Sequence, residues 1–66
     1  QKTELEEAMG QLPPEQREAV VLKYYHGLKI AEIAKVTHTG EPTVKSRLKY
    51  GLEKLKKLLG DESHER

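Results

Sequence analysis

Basic and hydroxyl side chains are concentrated in one part of the sequence, residues 41–59. This stretch holds six Lys or Arg residues and two Glu, a net charge of +4, whereas the whole 66-residue chain carries only +1. Such side chains bind phosphates and donate hydrogen bonds to base edges. A local excess of positive charge also fits a solvated helix face, so charge alone leaves both interpretations open. The candidate nucleic-acid-binding residues here are Thr43, Lys45, Ser46, Arg47, Lys49 and Tyr50.

The remaining reactive side chains show no spacing that is typical of a catalytic or metal site. The chain has no Cys, which excludes disulfides, thiol nucleophiles and Cys-ligated zinc. Its histidines, His26, His38 and His64, are 12 and 26 residues apart, which is not a metal-ligand spacing. Ser46 has no evident His–Asp partner. We therefore expect neither an enzyme nor a bound cofactor, metal or small-molecule substrate.

The length of the chain allows one small domain with a thin hydrophobic core. Its longest apolar run, Ala19–Leu22, is too short to span a membrane, so we expect no membrane partner and a cytoplasmic location. We assign residues 1–60 to the domain and expect the polar residues 61–66 to form a disordered tail. Because the sequence starts at Gln1 and not at Met, we expect a longer protein around it.

Proline, glycine and the hydrophobic periodicity divide the sequence into four predicted helices and no strands. The helices cover residues 2–9, 14–26, 29–36 and 41–59. Thr3 followed by Glu6 predicts a capping box at the start of the first helix. We expect Gly10 to cap the end of that helix and Gly27 to end the second one.

The third and fourth helices, with the short connection between them, have the pattern of a helix-turn-helix. Each carries one apolar stripe with spacings of three and four residues. The stripes are Ile30, Ile33, Ala34 and Val36 on the third helix, and Val44, Leu48, Leu52, Leu55 and Leu58 or Leu59 on the fourth. With its stripe packed inward, the fourth helix presents the candidate nucleic-acid-binding residues on its other side. The predicted fold class is all-α, a small four-helix domain containing a helix-turn-helix.

The second helix is apolar around most of its circumference between Ala19 and Tyr25. A helix of this kind is either central to the core or offers one side to a partner. We favour the central position, with Tyr24 and Tyr25 in the core. The alternative is a protein-docking surface formed by Val20, Val21, Tyr24 and Leu28.

Three short blocks of the sequence resemble one known family. Residues 12–18 (LPPEQRE) resemble the opening of region four, the C-terminal promoter-recognition domain of bacterial sigma factors, with the extracytoplasmic-function type as the closest match. Residues 32–34 (EIA) are similar to the first helix of that family's helix-turn-helix. Residues 43–48 (TVKSRL) are similar to the start of its recognition helix. The blocks fit in register without gaps, and the resemblance covers about residues 1–60.

The resemblance implies a sequence-specific DNA-binding domain of an RNA polymerase sigma factor. Such domains bind the minus-35 promoter element, dock on the flap of the polymerase beta subunit to direct transcription initiation, and are commonly masked by an anti-sigma factor. It implies that Thr43 meets a backbone phosphate and that Arg17 lies near the DNA backbone, although Arg17 also suits a pair with a neighbouring Glu. The positions it implies to face DNA are Lys45, Ser46, Arg47 and Lys49.

The sequence departs from the family pattern in the turn and at one position of the recognition helix. His38 stands where a Gly often adopts the left-handed conformation. Thr39 replaces an apolar residue that helps to seal the turn, and Gly40 replaces a Ser that caps the next helix. Tyr50 stands where a basic residue is common, and its ring is able to stack on bases.

Two functions from different classes therefore remain open from the sequence. The first is a DNA-reading module of a transcription initiation factor. The second is a protein-docking helical module, bound mainly by an anti-sigma factor or the polymerase flap, with weak DNA binding. Outside the family, a helical bundle that dimerises through residues 48–59 is a third possibility.

Overall fold

The computed structural model describes residues 3–60, and within that range the chain is all-α, as predicted. The helices are α1 (Glu4–Gly10), α2 (Pro14–Val20), α3 (Ile30–Thr37) and α4 (Glu41–Leu58). A π-helical segment, Val21–Tyr25, continues α2. The expected polar tail, residues 61–66, lies outside the described residues, and the assignment of residues 1–60 to one domain stays a prediction.

Helix α1 begins at the predicted capping box. The Thr3 hydroxyl accepts a hydrogen bond from the Glu6 N–H at 3.1 Å, and the Glu6 carboxylate accepts one from the Thr3 N–H at 3.1 Å. Helix α1 extends one residue beyond its predicted end at Met9. Gly10 is the last helical residue, and Gln11 occupies the C-cap in a right-handed conformation that needs no glycine.

The end of the second helix is wider than an α-helix. The His26 N–H donates to the Val21 carbonyl, five residues back, at 3.2 Å, and the Leu28 N–H donates to the Leu22 carbonyl at 3.0 Å. Gly27 follows with a φ of 71° and ends the helix, as predicted. The predicted helix is therefore one residue too long, because Tyr25 is its last helical residue and His26 its C-cap, and its last turn is not α-helical.

Tyr24 and Tyr25 lie outside the core, so the expectation that they are buried is wrong. Tyr24 is 57% exposed and Tyr25 is 67% exposed. Both belong to the π-helical segment, where a wheel drawn for a regular α-helix no longer gives the direction of each side chain. In so short a chain, the neighbouring helices leave this side of the segment uncovered.

The hydrophobic core lies where α4 packs against α2 and α3. Ile33 of α3 and Val44 of α4 are completely buried at its centre. The burial of Leu48 and Leu55 confirms most of the predicted stripe on α4, and Leu52 packs against it half-buried. Its last member was predicted wrongly, because both Leu58 and Leu59 are exposed at the end of the helix. Within residues 3–60, the buried apolar residues are Ala8, Met9, Leu12, Ala19, Val20, Ile33, Ala34, Val44, Leu48 and Leu55.

Two expectations about apolar side chains change with this core. The expectation that Val36 lies on the inner stripe of α3 is wrong, because Ile33 and Ala34 take the inner face and Val36 is exposed to its side. Leu48 and Leu55 are buried within a single chain. The alternative of a bundle that dimerises through residues 48–59 therefore loses these two side chains from its apolar stripe, although Leu58 and Leu59 remain exposed.

Helices α2 and α4 approach each other closely at Gly51, a buried residue in the middle of α4. A Cβ atom at this position would lie 3.1 Å from Cγ2 of Val20 and 3.5 Å from Cβ of Gln16. The missing side chain allows the two helix backbones to pack at this short distance. Gly51 therefore helps to set the position of α4, the helix that carries the candidate site.

Candidate nucleic-acid interface

The turn between α3 and α4 is closed by backbone hydrogen bonds. His38 adopts the left-handed conformation, with φ 58° and ψ 43°, at the place where the family pattern has a glycine. Its N–H donates to the Lys35 carbonyl at 3.2 Å, and the Thr39 N–H donates to the Ala34 carbonyl at 3.0 Å. These two bonds form a Schellman motif, which stops α3 and reverses the chain toward α4.

Two threonine hydroxyls reinforce the same turn. The Thr37 hydroxyl donates to the Ile33 carbonyl at 2.8 Å, and it lies 2.9 Å from the Thr39 hydroxyl. Because a hydroxyl carries one hydrogen, Thr37 is the acceptor in the second bond and Thr39 is the donor. Thr39 thus contributes a hydrogen bond where the family pattern has an apolar contact.

Helix α4 starts at Gly40, the predicted N-cap, without a hydrogen bond from a capping side chain. The first intrahelical bond joins the Val44 N–H to the Gly40 carbonyl at 3.2 Å. Pro42 has no N–H, so it loses nothing at this position. The N–H groups of Glu41 and Thr43 lie at the start of the helix, where the dipole favours a negatively charged group.

The first half of α4 has one buried side and one exposed side. Val44 and Leu48 are buried against the core, and Arg47 is half-buried at the edge between the two sides. The exposed side runs from Thr43 to Tyr50, seven residue positions and about 10 Å along the helix axis. This side, which we call the outward face of α4, consists of the exposed residues Thr43, Lys45, Ser46, Lys49 and Tyr50.

The chemistry of the outward face of α4 suits a nucleic acid. Lys45 and Lys49 supply ammonium groups for phosphates, and Ser46 supplies a hydroxyl that both donates and accepts. The Lys49 ammonium lies 5.8 Å from the centre of the Tyr50 ring, within the range of a cation–π contact. The structure thus brings together all the candidates on the fourth helix, with Arg47 beside them.

Arg17 takes part in a structural contact that the sequence analysis did not predict. It is half-buried, and its Nη1 donates to the Gly10 carbonyl at 3.3 Å and to the Leu12 carbonyl at 3.5 Å. These carbonyls belong to the end of α1 and to the connection that follows. A signal was present in the sequence, because the carbonyls that end a helix before a proline need donors from elsewhere.

A second surface feature is an apolar groove between α1, the π-helical segment and α4. It is lined by Leu5, Met9, Val20, Tyr24, Tyr25, Leu52 and Leu55. Leu5 and the two tyrosines are its most exposed members. Tyr25 and Leu5 are not among the predicted docking residues, because nothing in the sequence pattern indicates the π-helical turn that exposes the tyrosine.

The predicted docking surface agrees only in part with this groove. Tyr24 is exposed and lines it. Val20 lines the floor of the groove but is only 4% exposed, because it packs over Gly51, so it belongs mainly to the core and offers little surface to a partner. Val21 and Leu28 are half-buried and pack against the core.

Neither a metal centre nor a membrane span is found within residues 3–60. No three His, Asp or Glu side chains in that range lie close enough together to hold a metal ion. None of the helices in the described part of the chain combines the length and the apolar character needed to cross a bilayer.

Comparison with known proteins bears directly on this helix-turn-helix. The family model described as "Sigma-70, region 4" matches residues 2–55. The chain belongs to the sigma-70 region 4 family. This region 4 domain is 39% identical over 54 residues to "ECF RNA polymerase sigma factor SigK" of Mycobacterium sp. (strain KMS). The aligned residues cover 82% of the chain and 28% of the relative.

A second relative of the region 4 domain comes from a different bacterium. "RNA polymerase sigma factor SigV" of Bacillus subtilis (strain 168) is 39% identical over 46 residues, which covers 70% of the chain and 28% of the relative. The chain thus spans about 28% of the length of both relatives. The resemblance to the extracytoplasmic-function (ECF) type is confirmed, and the family is not a class of enzymes.

Proposed function

We propose that this region 4 domain recognises the minus-35 promoter element by placing the outward face of α4 in the major groove of DNA. The burial of Val44, Leu48 and Leu55 carries this proposal, because it fixes which side of α4 stays open. The open side of an α-helix fits the major groove, where each base pair presents a distinct hydrogen-bonding pattern. Helix α3 and the short turn buttress α4 in this position.

The residues have different tasks in this proposal. Lys45 and Lys49 bind phosphates and displace counterions, which supplies affinity without sequence preference. Ser46 and Arg47 contact base edges, and Arg47 suits a bidentate contact with guanine. The N–H of Thr43, at the start of α4, binds a backbone phosphate.

Selection of binding sites from a library of randomised duplexes tests the proposal. We expect the chain to enrich one short sequence, and its affinity for that duplex to exceed its affinity for a scrambled duplex. Affinity should also fall steeply between low and high salt. Placed upstream at the minus-35 position of a template, the enriched sequence should support transcription by polymerase with the sigma factor that contains this chain. Equal binding to enriched and scrambled duplexes would reject base recognition.

We also propose that the domain docks on RNA polymerase through the apolar groove, at the flap of the beta subunit. Exposed aromatic residues support this, because Tyr is enriched in protein interfaces, and Tyr24 and Tyr25 line a groove whose other lining residues are all aliphatic or Met. An anti-sigma factor that covers the same groove would compete with polymerase. Both functions belong in the bacterial cytoplasm.

A pair of variants tests the docking proposal. Tyr25→Ser removes an exposed ring from the groove, and we expect it to weaken binding to polymerase core. Val36→Ser is the matched control, because Val36 is similarly exposed but lies on α3 outside the groove. Equal affinity of the two variants for polymerase core would contradict docking at this groove.

A further inference from the structure

Tyr50 is the aromatic residue on the outward face of α4. It is 54% exposed and lies four residues after Ser46, so the two side chains point to the same side of the helix, about 6 Å apart along its axis. The next residue, Gly51, is buried against α2 and holds this part of α4 in place. The packing of α4 therefore fixes the direction of Tyr50, and a ligand that contacts Ser46 also lies within reach of the Tyr50 ring.

The chemistry of Tyr50 differs from that of its neighbours on the outward face of α4. Its ring is apolar apart from one hydroxyl, so it has no pair of donors that matches O6 and N7 of guanine. The Lys49 ammonium lies 5.8 Å from the centre of the ring, which allows it to neutralise a phosphate near the aromatic surface. While Lys49 binds a phosphate of the backbone, the apolar edge of the Tyr50 ring is suited to contact an apolar group of a base in the major groove of DNA.

We propose that Tyr50 is a specificity-determining residue that selects thymine by contact of its ring with the C5 methyl group. This methyl is the one apolar group that a standard base presents in the major groove, and apolar side chains recognise it there. The inference rests on the proposed function, since it requires α4 to lie in the major groove. It adds a base preference that none of the charged residues on α4 supplies.

Two selection experiments on randomised duplexes identify the base pair that Tyr50 contacts. The wild-type chain and a Tyr50→Arg variant are each used to enrich binding sites. We expect the two enriched sequences to differ at one position, with thymine selected by the wild-type chain and guanine by the variant, because Arg pairs with O6 and N7 of guanine. Because Tyr50 is largely exposed, we expect the variant to keep the helical circular dichroism of the wild type.

Replacing that thymine by deoxyuridine then removes only the methyl group. We expect the wild-type affinity to fall about fourfold, the effect of burying one methyl group. Tyr50→Phe keeps the ring and should show the same loss with deoxyuridine. Tyr50→Ala should bind the thymine and deoxyuridine duplexes equally.

The outcomes separate the inference from the function on which it rests. If the wild-type chain enriches no sequence, the proposed DNA recognition fails and the inference falls with it. If it enriches a sequence but Tyr50→Arg enriches the same one, recognition stands and the role of Tyr50 is overturned. Equal affinity of the wild type for thymine and deoxyuridine, or loss of the thymine preference in Tyr50→Phe, would also overturn the methyl contact.

Discussion

Val20 packs directly over Gly51, so that a Cβ atom on Gly51 would lie 3.1 Å from Cγ2 of Val20. The contact joins the last residue of α2, the helix that begins within the "LPPEQRE" block, to the middle of α4. Because Val20 is buried, it has little room to move away from an added atom. The orientation of the outward face of α4 therefore depends on a glycine that lies on the opposite side of the same helix.

Replacement of Gly51 by alanine is expected to destabilise the domain. Helix propensity alone would stabilise the variant by about 0.8–1.0 kcal/mol. Overpacking against Val20 costs about 1–3 kcal/mol, so we expect a net loss of about 1 kcal/mol in the free energy of unfolding. Urea denaturation followed by circular dichroism measures this change.

Gly10→Ala is the control for this prediction. Gly10 is also helical, but a Cβ atom at that position would contact no side chain and no other segment within 4 Å. We expect this variant to be as stable as the wild type or slightly more stable, by up to about 0.5 kcal/mol. Equal stabilisation in Gly51→Ala and Gly10→Ala would contradict the close packing of α2 on α4.

Much of the fold was predictable from the sequence because its signals are local. The capping box at Thr3, the end of the second helix at Gly27 and the buried stripe through Val44 and Leu48 each depend on residues within one or two turns. The close packing at Gly51 was also predictable, since this residue lies three positions after Leu48 and four before Leu55, on the apolar stripe of α4. A glycine at such a place often marks a close approach of two helices.

The features that sequence patterns missed depend on contacts between segments. Tyr24 and Tyr25 are exposed because they lie in a π-helical turn and because the neighbouring helices cover little of the second helix. Neither cause produces a periodic pattern of apolar residues in the sequence. The contact of Arg17 with the Gly10 carbonyl likewise depends on how the connection at Pro13 folds back. The outward face of α4 was predictable because burial of one side of a helix determines the other side.

His38→Gly is expected to stabilise the turn. The left-handed conformation costs a residue with a Cβ atom about 1–2 kcal/mol, and glycine avoids that cost. Since glycine also loses more backbone entropy on folding, about 0.5–1 kcal/mol, we expect a net gain of up to about 1.5 kcal/mol. Thermal unfolding should show a higher Tm for His38→Gly and a lower Tm for His38→Val. A lower Tm for the glycine variant would contradict the left-handed conformation.

Arg17→Met separates the structural contact of Arg17 from a DNA contact. The variant keeps the apolar stem but loses the hydrogen bonds to the Gly10 and Leu12 carbonyls. These bonds are long, so we expect a loss of about 0.5–1 kcal/mol in the free energy of unfolding. An unchanged dependence of DNA affinity on salt would show that Arg17 binds no phosphate. A salt slope lower by about 1 would show that it does.

Arg47→Ala and Lys45→Ala should weaken DNA binding in different ways. Loss of a bidentate contact to guanine by Arg47→Ala costs about 1–3 kcal/mol on the enriched duplex and relaxes the preference at one base position. Loss of a phosphate contact by Lys45→Ala weakens binding to all duplexes alike and lowers the salt slope by about 1. Fluorescence anisotropy at several salt concentrations distinguishes the two patterns. A uniform effect of Arg47→Ala on enriched and scrambled duplexes would remove it from base recognition.

An NMR titration of the labelled chain with its enriched duplex tests the DNA-binding role of α4 most directly. The account predicts that the largest shifts in amide resonances fall on residues 43–50, on the outward face of α4, while resonances of Leu5, Tyr24 and Tyr25 in the apolar groove change little. Largest shifts at the apolar groove, with the outward face of α4 unperturbed, would contradict it.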